Sequence, residues 1–507
     1  MALRPGIRQN TTFNHHSPEQ IVGVQHYLLL IGGYFVTLLL IRWVILARKR
    51  QPISTVAWVL AIVLLPYVGG LLFLFFGINR VERRKARKLQ ATQDLAGPLA
   101  ELTELAKHHL PAEYPLSDLE SRLARLAERA AGTPATQGNH IEVLTDTNIT
   151  FRRIEQAIEQ ATSSVHLEYY IWRTDRTGTR LRDLLIRKAQ AGVAVRCLYD
   201  QFGSLGINKR FLQPMRDAGI RVAPFLPGTT LRERWSINLR SHRKIVVVDG
   251  RIGFTGGMNI GDEYLGKDPR FGFWRDTHLQ MTGPVTLQLQ RVFAEDWYYA
   301  VQEDLTETTW FPEIGQLAPL AEALPPVAAQ VVSSGPVGEV RTLHSLIFAA
   351  INEARSHVYL TTSYFVPTES LQIALETAAL RGVKVRLLVP RHTAIRATVL
   401  AGRSFYEALL LAGVEIHEYR RGMLHSKTIT VDGCWSLIGS PNLDARSLLL
   451  NFETAVACYD QRIASELEQQ FESDLVHARW MRYDLWIRRP LRQVFLENVC
   501  RMFSPIL

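Results

Sequence analysis

Cysteine is scarce: four residues (Cys197, Cys434, Cys458 and Cys500) in 507, none at C-x2-C spacing. That scarcity excludes a disulfide framework and a thiolate zinc site, and it fits reduced thiols in a cytoplasm-facing domain. Negative charge is nearly missing from the first ninety positions, where only Glu19 and Glu82 are acidic. Of 58 Lys+Arg and 48 Asp+Glu in the chain, 12 and 2 fall there; the remaining 46 of each sign cancel. The body therefore lacks the basic excess that phosphate-backbone binding needs, which argues against nucleic acid as a partner. At 47% hydrophobic and 21% charged residues, wholesale disorder is excluded too.

Long apolar runs are present. Residues 21–41 and 53–78, 21 and 26 positions, carry no formal charge. As helices they reach about 32 and 39 Å, against a hydrocarbon core of about 30 Å. This predicts a pair of transmembrane helices within a membrane anchor at 1–88. A cleaved signal peptide is disfavoured, because Arg42, Arg48, Lys49 and Arg50 follow the first run. Arg4 and Arg8 together with Arg80, Arg83, Arg84, Lys85, Arg87 and Lys88 outnumber those four, which predicts a cytoplasmic body. Pro66 and Gly69-Gly70 leave a kinked or re-entrant second segment open. The cluster after Arg80 reads either as a stop-transfer flank or as a contact with an anionic membrane surface. Residues 89–138 read as a helical connector. Ser117 and Glu120 have capping-box spacing before a helix to about Ala131, and Gly132-Thr133-Pro134 stops it.

Internal similarity sets the rest. Residues 157–161, leading to Val165-His166-Leu167, are answered 193 positions on by 350–354, leading to Val358-Tyr359-Leu360. Likewise 191–196 is answered by 381–386, and 218–220 by 412–414. Each copy alternates helical-period stretches with short β-branched runs such as 193–199, 245–248 and 428–431. That predicts an α/β fold of two pseudo-symmetric halves, 139–311 and 337–507, joined by a Pro-rich linker at 312–336.

The repeat carries chemistry. His242, Lys244, Asp249, Gly256 and Asn259 are matched by His425, Lys427, Asp432, Gly439 and Asn442 at identical intervals from the histidine. A lone His-x-Lys is noise, and a single histidine at a strand start is usually a structural hydrogen-bonder. The same constellation twice, inside an independently found repeat, is specific. Residues two apart on a strand share a face, so each His and Lys can reach one ligand. Two such strands brought together place two His and two Lys around one pocket. Lysine ammonium groups and Asn amides suit phosphate oxygens. Two histidines suit a two-step displacement, one as nucleophile and the other as general acid and base. That chemistry calls for no metal and no cofactor. Asp249 and Asp432, each followed by Gly, also have the look of turn residues.

These paired H-x-K-x4-D motifs resemble the phospholipase D superfamily. With the two apolar segments, the chain is similar to its bacterial cardiolipin synthase branch over essentially its full length. The supporting stretches are 64–69, 364–367, 424–427, 442–447 and 451–453. The resemblance implies two phospholipase D-like domains packed together at the bacterial inner membrane. It implies conversion of two phosphatidylglycerol molecules to cardiolipin and glycerol through a phosphatidyl-histidine. His242 would be the nucleophile and His425 the general acid and base, an order that pseudo-symmetry leaves open. Lys244, Lys427, Asn259, Asn442, Ser440, Gly256 and Gly439 would hold the phosphate, and Asp249 and Asp432 complete the motifs. Glu453 and Asp276 would orient the partner imidazoles, although Asp276 follows its histidine by 34 residues and Glu453 by 28. One departure is Gly257, where the general motif has the Ser kept at 440.

The same residues would serve a hydrolase with water as acceptor, or a phosphatidylserine synthase-like transferase. A superfamily nuclease fits the neutral body and the anchor poorly. The C-terminal stretch mixes Arg479, Trp480, Arg482, Trp486, Arg488, Arg489, Arg492, Arg501 and Phe503. It reads either as a packed helix with solvated arginines or as an interfacial segment.

Overall fold

A computed structural model describes residues 18–46, 52–74, 88–90, 94, 116–225, 239–307, 310–312, 324–336 and 340–504. The chain divides into two compact units, residues 1–82 and 83–507. Residues 91–93 and 95–115 of the connector, and all of the basic cluster except Lys88, lie outside the described residues.

The N-terminal unit holds the helices Pro18–Leu46, Pro52–Leu64 and Pro66–Leu72. The second apolar run is thus not one rod. Pro66 lacks the N–H that would continue the ladder, so Leu65 leaves helical geometry (φ −131°, ψ 70°) and a new helix starts. Leu40, Val44, Ile62 and Phe73 pack together between these helices. Among the described residues no helix is long and apolar enough to cross a membrane; side chains of the first helix are described only from Gly32 onward.

In the second unit fifteen strands form one continuous sheet. Each half repeats strand, helix, buried strand, helix, parallel strand: Thr136–Leu144 to Ala194–Tyr199 in one, Val327–Ser334 to Lys384–Pro390 in the other. The strands Thr136–Leu144, Val327–Ser334 and Glu453–Tyr459 lie side by side, antiparallel, and carry the sheet from one half into the other. Val327–Ser334 and Glu453–Tyr459 are buried along almost their whole length, whereas Thr136–Leu144 is buried only in part. Two apolar cores result, one per half. The expected linker at 312–336 needs correction. Its residues 313–323 lie outside the description, and Val327–Ser334 is a buried strand of the second half, chosen by its Val-Val and Ala side chains over the flanking prolines. The helix Asp118–Ala131 begins with the Ser117–Glu120 capping box and ends at left-handed Gly132. All four cysteines are free.

Candidate active site

Each histidine sits where one half runs briefly alongside the other. Ser241 bridges Phe452 in parallel, and Gly422–Leu424 pairs in parallel with Phe273–Arg275, Leu424 opposite Arg275. His242 N donates to Phe452 O at 2.8 Å, and His425 N donates to Arg275 O at 2.7 Å. The next residue on each neighbouring strand is a carboxylate. Glu453 Oε2 therefore lies 3.0 Å from His242 Nδ1, and Asp276 Oδ2 lies 2.7 Å from His425 Nδ1. Register explains why spacings of 34 and 28 converge on one geometry: the turn Asp262–Leu265 has a counterpart in Ala445–Leu449 at the same offset from its histidine, and the extra residues lie after it, in the stretch leading to Asp276.

Burial alone would raise both carboxyls, but the facing imidazole and the site lysines outweigh it and hold them below their ordinary values. An ionised carboxylate on Nδ1 makes that nitrogen the N–H donor and leaves the Nε2 lone pair free. Both imidazoles are about nine-tenths buried. Desolvation and the lysine charges pull each down to about 4, against the carboxylates' opposing pull, so both are neutral at pH 7. Lys244 falls to about 7 and Lys427 to about 8, chiefly by burial. Lys244 feels Glu453, Lys427 and Asp276, and His425 feels Lys244, so groups of both halves share one electrostatic field.

Several expected members take other places. His and Lys do not share one regular strand: Lys244–Val248 starts at Lys244, and Thr428–Val431 starts after Lys427. Each lysine turns back so that Nζ donates to the carbonyl of its own motif histidine, and Lys427 also donates to Ser363 Oγ at 2.7 Å. Asp249 and Asp432 leave the catalytic group. Each ends a strand at φ 52° and accepts from three successive backbone amides, 162–164 and 355–357 respectively. Asp249 is about 16 Å of strand beyond Lys244. Ser440 Oγ is engaged by Glu453 and by Thr454 N, so it positions the carboxylate instead of facing phosphate. Gly256 and Gly439 allow close strand approach: a Cβ on the first would strike Thr277 O and His278, on the second Thr454 O and Ala455. Asn259 accepts from Ile171 N and donates to Tyr264 Oη, whereas the buried Asn442 Oδ1 has no partner among the described residues.

Sequence reasoning missed the aromatic walls. Tyr170 meets His242 edge-on at 4.8 Å between centroids, and Trp274 lies 5.3 Å from His425. It missed Lys88 as well, which belongs to the basic cluster yet is buried. Its Nζ lies 2.7 Å from Asp296, which also binds Arg243 between His242 and Lys244. Lys88 is thus not available to headgroups. No periodicity marks such a pair; only the fold brings it together.

Two copies of one α/β unit, each lending the other's histidine its carboxylate, have the build of a phospholipase D-like enzyme. Residues 154–297 and 347–475 match the cardiolipin synthase, PLD-like domain family, and 35–77 match the phospholipase D-nuclease N-terminal family. Cardiolipin synthase 1 of Bacillus anthracis is 37% identical over 478 residues, 93% of this chain and 92% of that one. The cardiolipin synthase of Geobacillus kaustophilus is 38% identical over 490 residues, covering 96% and 95%. In fold, the crystal structure of a phosphatidylserine synthase from Haemophilus influenzae superposes with a TM-score of 0.57 at 17% identity, over 76% of this chain and 98% of that one. The chain belongs to the cardiolipin synthase family. It is a phosphatidyltransferase of the phospholipase D type, associated with membrane.

Proposed function

We propose that this chain joins two phosphatidylglycerol molecules into cardiolipin and free glycerol at one pocket shared by its halves, facing the cytoplasm at the bacterial inner membrane. The reciprocal pairing of each histidine with the other half's carboxylate supports this most. In the first step His242 Nε2 attacks phosphorus, the P–O bond to glycerol breaks, and the leaving oxygen takes the Nε2 proton of His425, which enters the step as the imidazolium, protonated from solvent as the phosphodiester anion binds and favours its charged form. In the second step His425 takes the proton of a hydroxyl on a second phosphatidylglycerol. That oxygen attacks phosphorus and the P–N bond breaks, releasing cardiolipin. Lys244 and Lys427 hold the phosphate oxygens, whose negative charge favours the protonated lysines. Glu453 and Asp276 stabilise whichever imidazolium forms. In the N-terminal unit, exposed Phe35, Leu38, Trp43, Val63 and Leu64 support a lipid-facing anchor.

His425→Ala should lower kcat by about 10²- to 10⁴-fold, the range for a lost general acid–base. His242→Ala should remove the covalent route while membrane insertion persists. Wild-type-like turnover of phosphatidylglycerol vesicles in either variant would sink the two-histidine mechanism.

A further inference from the structure

Far along the chain from the histidines, the C-terminal segment builds a second cationic feature. The edge strand Ala478–Met481 pairs with Glu415–Tyr419, and the helices Tyr483–Trp486 and Leu491–Met502 pack on the helices Tyr406–Ala412 and Arg396–Arg403 respectively. Between them is a cavity of about 240 Å³ lined by Arg391, Arg403, Arg420, Arg479, Arg482 and Arg489. Among the described residues Glu418 is the one carboxylate in its wall, and it is bound on both oxygens by Arg403. Arg489 is held by Glu497 and Glu407, and Arg482 by Asp484. Arg391, Arg420 and Arg479 have no carboxylate partner among the described residues. Nearby His392 is held below its ordinary value, by desolvation and then by the charges of Arg391 and Arg403.

The helix Leu491–Met502 is turned inside out. At 100° per residue Leu491, Phe495 and Met502 fall within about 40° of one another. They are 86%, 67% and 78% exposed, while Glu497 on the opposite side is fully buried. Trp480 and Leu485, in the cavity wall, are also more than half exposed. Unpaired guanidinium groups call for an anion with planar-accessible oxygens, and the outward apolar stripe calls for hydrocarbon. A soluble anion satisfies only the first. The surface of an anionic bilayer satisfies both, phosphodiester above and acyl chains below.

We infer that this C-terminal face is a docking surface for anionic phospholipid, its arginine-lined cavity taking a headgroup phosphodiester and the 491/495/502 stripe entering the acyl boundary. It is separate from the site of transfer and does not depend on the identity of the donor lipid.

The test uses the full-length protein in phosphatidylcholine vesicles containing either brominated phosphatidylserine or brominated phosphatidylcholine as the minor lipid. Subtracting the fluorescence of Trp480→Phe isolates Trp480. The expected result is quenching several-fold stronger with the brominated anionic lipid. That preference should disappear in the triple variant Arg391→Glu, Arg420→Glu, Arg479→Glu, whose retained turnover reports its folding. Equal quenching by the two lipids, or none, overturns the proposal irrespective of how the variant folds. A Phe495→Cys disulfide between two copies, with Trp480 unquenched, would instead mark this face as a contact between chains and overturn it as well.

Discussion

Replacing Gly257 by alanine asks how far the two halves depend on one another. Gly257 stands where the other half has Ser440, and its missing side chain is not a lost phosphate contact. The space is filled by Asp276. A Cβ at 257 would overlap Asp276 Oδ1 and stand 3.0 Å from the carbonyl of His425. Ordinary carbon–oxygen contact is about 3.4–4 Å, so the carboxylate would have to retreat by more than about 1 Å. It is held on both oxygens, Oδ1 by Thr277 N at 2.8 Å and Oδ2 by His425 at 2.7 Å. A retreat of that size takes at least one bond out of reach. A hydrogen bond to a charged group is worth about 1.5–3 kcal/mol net, equivalent to roughly a 10- to 150-fold loss in kcat. KM should hardly move, because Asp276 does not face the phosphate. Initial rates of cardiolipin formation in mixed micelles, with a thermal melt to show that the variant folds, would measure this. A folded Gly257→Ala enzyme with kcat within about twofold of wild type would refute the positioning role of Asp276.

The lysines predict the alkaline limb of the pH profile. With Lys244 at about 7 and Lys427 at about 8, raising pH strips phosphate-binding charge from the free enzyme, so kcat/KM should fall through that range. A profile still flat well above it would contradict the assignment. The sign for stability is opposite: the unfolded lysines keep their protons to about pH 10, so the unfolded state binds more protons and stability should rise over that window. Asp249→Ala should cost about 1–2 kcal/mol of stability, as for other lost amide caps, with kcat of the folded enzyme unchanged. Its folded-state pKa is depressed, against the effect of burial, by the 162–164 amides. The contribution is therefore present at neutral pH and lost as pH falls through the folded value. A drop in kcat without a drop in melting temperature would return Asp249 to the chemistry.

The repeat, the α/β alternation and the two His-x-Lys sets were legible because each is local: a period, a spacing, a run of β-branched residues. What is legible only in three dimensions depends on register between distant strands. The resemblance singled out Glu453 and Asp276, but how they meet the opposite histidines is set by 452 and 275 pairing with 241 and 424, a match no spacing within one half encodes. Asp249 shares its motif with His242 in sequence yet lies beyond the far end of a strand from it, since the five-residue strand Lys244–Val248 runs between His242 and the turn. Ser440 looked like a phosphate ligand until Glu453 arrived 13 residues later to take its hydroxyl. Lys88 belonged to a basic run whose other members lie outside the described residues, and only its burial against Asp296 separates it from them. The strand Val327–Ser334 was hidden by the prolines around it, because composition averaged over 25 residues hides an eight-residue apolar strand.

The measurement that bears most directly on the central claim uses the detergent-solubilised enzyme with phosphatidylglycerol as the sole lipid, lipid products and glycerol being quantified together by mass spectrometry. Transfer between two phosphatidylglycerol molecules predicts cardiolipin and glycerol in equal amounts. Phosphatidic acid and glycerol without cardiolipin would mean that water is the acceptor and would contradict it.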